Sequence, residues 1–352
     1  MLACVKTAMG KAEMLDLPVP KAGPGEIVMK MTMCTVCGSD MHFLDEIPNE
    51  ILAALAPGVI IPQGFPMGHE AVGTVHEVGP GVTRLQVGDR VISSCLTGCG
   101  RCGHCLRGDF SVCTGGGRTL FGCQAEYFVV PFADVNVAKV PPEVSDENAV
   151  LATDIMSTGF GAIDRAELKF GDSVAIFAQG PVGLCVTAGA RARGAGLIIT
   201  VESIPERIEM SKRLGANVVI NPKEKDPVSE IMSLTGMQGA DVAVEAVGTQ
   251  ATFDGATRAV RRGGTVSSVG LYGPVPQISM FTMTPAFYHR RIVTTLCPSG
   301  HDRMTHMLDT VRWGKVDLGS LFTHRMKLAD APKAYDLFRS KQGGVLKIAI
   351  TP

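Results

Sequence analysis

Two groups of residues in this chain carry ligand-type side chains at spacings that chemistry can use. Cys99, Cys102, Cys105 and Cys113 form a C-x2-C-x2-C-x7-C run among small residues such as Gly98, Gly100, Gly103 and Gly108. Four thiolates so placed can wrap one zinc ion tetrahedrally, and with every position filled by protein the role is structural. Iron–sulfur ligation is the rival, but the run lacks the Cys-Pro ending of the bacterial pattern. The second group is scattered. It comprises Cys37-Gly38-Ser39-Asp40-Met41-His42, then Gly68-His69-Glu70, then Asp154. A thiol, an imidazole and a carboxylate can hold a zinc ion while leaving a fourth position open for water or a substrate oxygen. Alone, Cys37 would read as a small core residue, His69 or His42 as a structural histidine, and Asp154 as a helix N-cap.

A third signal is Ala178-Gln179-Gly180-Pro181-Val182-Gly183. It is the dinucleotide fingerprint G-x-G-x-x-G with Ala in its first position, set between an apolar run and a helical pattern. Gly180 would let the backbone approach a pyrophosphate at the helix N-terminus, and Gly183 would allow close helix–strand packing. Pro181 pre-sets φ and removes an N–H that would otherwise go unpaired. Glu202 stands 22 residues after Gly180. An acid there accepts the ribose hydroxyls of NAD and repels the 2′-phosphate of NADP, and no Arg occupies the next three positions. NAD is therefore the expected cofactor.

These residues need elements to position them. The chain has 352 residues, 45% hydrophobic and 19% charged, which suits two globular domains. Up to about Leu151 short β segments alternate with turns: Ile27–Met31, Ala71–Val78, Asp89–Ser93 and Glu126–Pro131. From Asp172 strands and helices alternate. Expected strands are Ser173–Ala178, Leu197–Val201, Asn217–Ile220, Asp241–Glu245 and Thr265–Val269. Expected helices are Val182–Arg193, Pro205–Leu214, Pro227–Leu234 and Gln250–Arg261. Almost continuously apolar strands between helices imply a parallel, doubly wound sheet covered on both faces. From about Pro298 the pattern returns to mixed structure, closing on a strand at Val345–Ile350. The fold class is α/β, a β-rich catalytic domain plus a doubly wound one. The expected division is 1–154, 155–297 and a return at 298–352.

The net charge of −1 offers no surface for nucleic acid, and no apolar run is long enough to span a membrane. No charged run followed by an apolar core opens the sequence, so a cytoplasmic location is expected and the 11 cysteines suit metal better than disulfides.

Taken in order, Cys37-Gly38-Ser39-Asp40, Gly68-His69-Glu70, Gly79-Pro80-Gly81-Val82, Gly88-Asp89-Arg90-Val91, the cysteine run and Gly180-Pro181-Val182-Gly183 resemble the zinc-containing medium-chain alcohol dehydrogenases over essentially the whole chain. The segment Thr153-Asp154-Ile155-Met156 is similar to the microbial secondary alcohol dehydrogenase branch, in which an Asp replaces a second Cys. Glu202, the full cysteine run and a long Phe43–Phe65 segment depart from that branch.

The resemblance implies a GroES-like catalytic domain and a Rossmann domain, with two zinc ions per chain, one catalytic and one structural. It implies Cys37, His69 and Asp154 as catalytic-zinc ligands, Glu70 behind them or as an alternate ligand, and Ser39 and His42 as a proton relay. Arg207, Gly270 and Lys347 are implied at the cofactor. An apolar pocket from Phe43–Phe65 and Leu296–Pro298 favours a small secondary or hydrophobic alcohol. Polyol, threonine or formaldehyde oxidation is the alternative within the scaffold, and a non-catalytic NAD(P)H-binding protein the alternative outside it. A homotetramer or homodimer is implied by analogy.

Overall fold

The computed structural model describes residues 1–56, 58–272, 289–340 and 344–352. The chain divides into two compact units, Met1–Ser157 with Cys297–Pro352, and Thr158–Leu296. Among the described residues no helix is long and apolar enough to cross a membrane.

The first unit is built on β structure. Its larger sheet runs in the order Phe322–Lys327, Lys347–Thr351, Ile27–Val36, Ala71–Val78, Arg90–Ser93, Val137–Lys139, and Tyr127–Val130 pairs with one end of Ile27–Val36. Lys347–Thr351 lies antiparallel to Ile27–Val36, with Ile348 opposite Val36. The long strand Ile27–Val36 extends five residues past the expected Met31. Its end, Cys34-Thr35-Val36, is wholly buried and delivers the chain straight into Cys37. The smaller sheet pairs Leu2–Ala8 with Lys11–Asp16 and Phe65–Pro66. Ile27, Met29 and Met31 share the core with Cys4, Phe65 and Tyr335.

The helix Gly38–Asp45 follows directly. The Lys6 ammonium is fully buried and donates to Phe43 O at 2.7 Å near the end of this helix. A cation there satisfies carbonyls that the helix leaves free and opposes its negative pole.

The second unit is a six-stranded parallel sheet in the order Val218–Ile220, Leu197–Val201, Ser173–Phe177, Ala240–Glu245, Val260–Ser268, Arg291–Thr294. Numbered from Ser173–Phe177, that is 3-2-1-4-5-6, the doubly wound order whose direction reverses beside the first strand. Val174, Ile176, Val242 and Val244 pack with Ile163, Val186 and Ala190 from helices on one face. Ala175, Ile199, Ala243, Phe253 and Ala256 form the core on the other. Alternation along each strand thus serves two cores, which is why the strands read as unbroken apolar runs.

Candidate metal centres and dinucleotide site

Cys37, His69 and Asp154 offer ligand atoms that all lie within 4.8 Å of one another. Cys37 Sγ is 3.7 Å from Asp154 Oδ2, and His69 Nε2 is 3.3 Å from the same oxygen. Three local devices hold them. Asp40, at the third position of the Gly38–Asp45 helix, reaches back so that Oδ2 accepts the Cys37 N–H at 2.9 Å. Asp40 Oδ1 lies 2.9 Å from His69 Nδ1. The two atoms are close but not aligned as a hydrogen bond, so Asp40 sets a negative charge beside the ring, while Nε2 is the nitrogen that faces Asp154. Gly68 takes φ +85, and a Cβ there would meet Gln124 Cγ at 2.5 Å, so only glycine brings His69 this close to the neighbouring loop.

The electrostatics of this cluster call for a cation. Burial opposes a charged His69, yet Asp40, Asp154 and Cys37 together raise its proton affinity well above the ordinary histidine value. Burial, reinforced by Glu70, pushes the Cys37 thiol up. The raised proton affinities of His69 and Cys37 mark a place where positive charge is favoured, and a divalent ion can supply that charge. Thiolate, imidazole and carboxylate suit zinc, so the residues fit the ion.

Glu70 is buried behind the trio. Its Oε2 accepts from Thr35 Oγ1 and from Lys347 Nζ, while Oε1 has no hydrogen-bond partner. Lys347, expected to reach the cofactor, is only 1% exposed, and its ammonium is spent on Glu70. Burial alone would lower its proton affinity; Glu70 and then Cys37 carry it above the ordinary lysine value. Ser39 Oγ is 3.2 Å from His69 Nε2. His42 lies one helical turn along, partly exposed, with Nδ1 2.8 Å from Glu46 Oε2. An aromatic wall stands against His69: Phe43 and Phe121 meet its ring edge-on at centroid distances of 6.0 and 6.3 Å, and Phe65 packs on Phe121 at 4.7 Å. Within the expected pocket segment Phe43–Phe65, Pro57 lies outside the described residues.

In the cysteine lobe, Cys99 Sγ and Cys105 Sγ are 4.0 Å apart, and Cys102 Sγ and Cys113 Sγ 3.8 Å. A zinc–sulfur bond of about 2.3 Å makes the edge of a regular tetrahedron about 3.8 Å, so the thiols already stand where the ion needs them. A disulfide would need about 2.05 Å. Backbone N–H groups of Cys102, Cys99 and Gly115 donate to these sulfurs at 3.3 Å. Such donors, from Cys105 and Thr114 first, pull the Cys102 thiol down to about 5, toward the thiolate that binds metal. Asn136, fully buried, both donates to and accepts from the backbone of Gly98 at 2.8 Å, which pins the lobe to the sheet.

In the second unit, Ala178 adopts φ +74, the left-handed conformation that glycine at this fingerprint position takes without cost. A Cβ on Gly183 would meet Ala178 O at 2.1 Å, whereas one on Gly180 would meet nothing within 4 Å. Gly183 is thus closed against the strand, and Gly180 faces open space at the N-terminus of the helix Pro181–Ala192. A cradle of this kind accommodates a pyrophosphate. Pro181 opens that helix, and Val182 packs partly on the core below it.

Glu202 follows the strand Leu197–Val201 and is 7% exposed. Its carboxylate accepts the backbone N–H groups of Gln179 at 3.1 Å, Ser203 at 2.7 Å and Ile204 at 3.0 Å. The helix Pro205–Leu214 carries Arg207 back to within 3.9 Å of Glu202, a cation that the linear spacing does not show. Gly270, expected at the nicotinamide, packs on the turn after Ala240–Glu245, where a Cβ would meet Gly248 N at 2.0 Å.

Sequence reasoning missed Asp40, Lys347 as the partner of Glu70, Phe121 at His69, and the pair Cys95 and Cys297. Asp40 had a signal: an acid three residues after the helix-starting Cys37 is a capping pattern.

The description "Alcohol dehydrogenase GroES-like domain" matches residues 23–142, and "Zinc-binding dehydrogenase" matches 181–313. The chain is 39% identical to an alcohol dehydrogenase of Cupriavidus necator, covering all of this chain and 99% of that protein. It is 33% identical to an NADP-dependent isopropanol dehydrogenase of Thermoanaerobacter brockii, over 97% of this chain and 96% of the other. Among solved structures, an alcohol dehydrogenase from Thermus sp. ATN1 superposes with a TM-score of 0.89 at 32% identity, covering 100% of this chain and 99% of that one.

Proposed function

The chain belongs to the zinc-dependent alcohol dehydrogenases, and from that premise we propose that it oxidises small, apolar secondary alcohols, or reduces their ketones, with NAD(H). The observation that carries the reading is the convergence of Cys37, His69 and Asp154, from three separate stretches of chain, within 4.8 Å. These residues would hold a catalytic zinc, and Cys99, Cys102, Cys105 and Cys113 a structural one.

When bound, zinc supplies Lewis-acid polarisation of the substrate oxygen, and the nicotinamide ring supplies hydride acceptance. The chain does the rest. Ser39 Oγ, 3.2 Å from His69 Nε2, would accept the substrate hydroxyl proton as it passes its own toward His42, three residues on. His42 holds it at the ring nitrogen facing Glu46 and gives it to solvent through its exposed edge. Phe43 and Phe121 stand against His69, backed by the buried Phe65, and such an apolar wall would favour an apolar chain over a sugar.

Glu202 supports the choice of NAD, because a carboxylate held by three N–H groups is fixed to accept ribose hydroxyls and to repel a 2′-phosphate. We further place the enzyme in the cytoplasm as a homodimer or homotetramer.

The test is steady-state oxidation of primary, secondary and cyclic alcohols, vicinal diols and L-threonine with NAD and with NADP, run beside zinc analysis. The expected result is two zinc ions per chain and the highest kcat/KM for a secondary alcohol with NAD. Turnover of L-threonine or a diol alone, preference for NADP, or a single zinc would overturn it.

A further inference from the structure

Among the described residues, one other set of soft-metal donors stands beside the first. Cys95, Cys297 and Asp154 offer one ligand atom each, all within 4.8 Å. Both cysteines are free thiols, 3% and 4% exposed. The backbone fixes them: the Cys95 N–H donates to Thr153 O at 3.3 Å, and Leu120 N donates to Cys95 O at 2.8 Å. Gly300 N donates to Ser94 Oγ at 3.0 Å, which ties the turn after Cys297 to the residue before Cys95. Within that turn Ser299 Oγ donates to Cys297 O at 3.2 Å.

We propose that Cys95 and Cys297, with the carboxylate of Asp154, form a second site for a soft divalent cation such as Zn2+ or Cd2+, and that filling it weakens the hold of Cys37 and His69 on their own ion. Two thiolates and a carboxylate select sulfur-seeking ions over Mg2+ or Ca2+. The Cys297 thiol faces the Cys95 thiol and three backbone carbonyls, Asp154 O at 3.6 Å, Pro298 O at 3.7 Å and Thr153 O at 3.8 Å, all weak partners for sulfur. Binding releases two thiol protons and leaves one negative charge over the filled site. Asp154 serves both trios, and a carboxylate can bridge two ions about 3.5–4 Å apart. Each ion then draws on the same charge.

The test uses the zinc-loaded enzyme titrated with Cd2+ alone. The readouts are native mass spectrometry, the ultraviolet Cd–thiolate absorption and alcohol turnover. The expected result is a third metal equivalent per chain, a rise in thiolate absorption and progressive inhibition. Cys95→Ser and Cys297→Ser should each bind the third equivalent at least about tenfold more weakly while starting from two resident zinc ions. A 113Cd NMR spectrum of the unmodified protein gives a check that no variant affects: a resonance between the four-thiolate and oxygen-rich positions is expected. The proposal falls if the unmodified protein saturates at two metals in excess Cd2+, or if the double variant retains the third. Failure of the catalytic-zinc assignment would register differently, as fewer than two zinc ions before any Cd2+ is added.

Discussion

The imidazole of His69 and the carboxylate of Asp40 stand 2.9 Å apart, and the other oxygen of Asp40 accepts the Cys37 N–H at the same distance. One side chain thus orients two candidate zinc ligands. Asparagine in its place can still accept from the Cys37 N–H but removes the negative charge beside His69. Asp40→Asn is expected to cut affinity for the catalytic zinc about 10–100-fold. Chelator competition measures it; unchanged affinity would show that Asp40 only caps the helix.

The two metal centres should fail independently. Asp154→Ala is expected to lose one zinc equivalent and nearly all turnover while the cysteine lobe stays loaded. Cys113→Ser should lose the other equivalent and lower the melting temperature. Zinc content and thermal unfolding of both variants separate these outcomes, and a shared loss in either variant would contradict two separate sites.

Glu202 and Arg207 stand 3.9 Å apart, and in the proposed cofactor site they would act on the ribose edge in opposite senses. Glu202→Ala is expected to raise the KM for NAD about tenfold and bring NADP within reach, since Arg207 is then left beside the vacated position. Glu202→Ala with Arg207→Ala should lose the NADP gain. Cofactor kinetics for the single and double variants decide it; an unaltered NAD preference in Glu202→Ala removes Glu202 from cofactor selection.

Two glycines three residues apart should respond differently to one added methyl group. Gly183→Ala drives a Cβ to 2.1 Å from Ala178 O and is expected to cost roughly 2 kcal/mol or more of stability. Gly180→Ala meets no protein atom within 4 Å, so it should leave the melting temperature nearly unchanged yet weaken NAD binding. Calorimetry and cofactor titration test the pair. Equal destabilisation by both would refute an open cradle at Gly180.

Lys347→Met leaves Glu70 buried without its cation and is expected to cost about 3–5 kcal/mol. Adding Glu70→Gln to that variant should restore much of the loss. Denaturant unfolding of the single and double variants reads the coupling. A loss that the second substitution does not relieve would mean that Lys347 acts by packing alone.

Much of the second unit was legible because its signals are local. Apolar runs of strand length, Pro at helix starts and the Gly180–Gly183 spacing each act over a few residues. Leu197–Val201, Pro205–Leu214 and Pro227–Leu234 fall where the sequence puts them. The first unit was read less completely. The Ile27–Val36 strand outruns its alternating pattern because both of its faces are covered near Cys34, and Leu2–Ala8 and the Gly38–Asp45 helix gave no clear period. In the site, residue type and order marked Cys37, His69 and Asp154. Contacts that join distant segments stayed hidden, since nothing near Glu70 in the sequence indicates Lys347 or its 277-residue separation.

That separation has a kinetic consequence. The strand Lys347–Thr351 is laid between Phe322–Lys327 and Ile27–Val36, so the sheet of the first unit closes only after that strand has been made. During synthesis the intervening parallel sheet can mature while its host still presents an open edge at Ile27–Val36. Until that strand docks, Glu70 lacks the Lys347 ammonium, although Cys37, His69 and Asp154 have all been made.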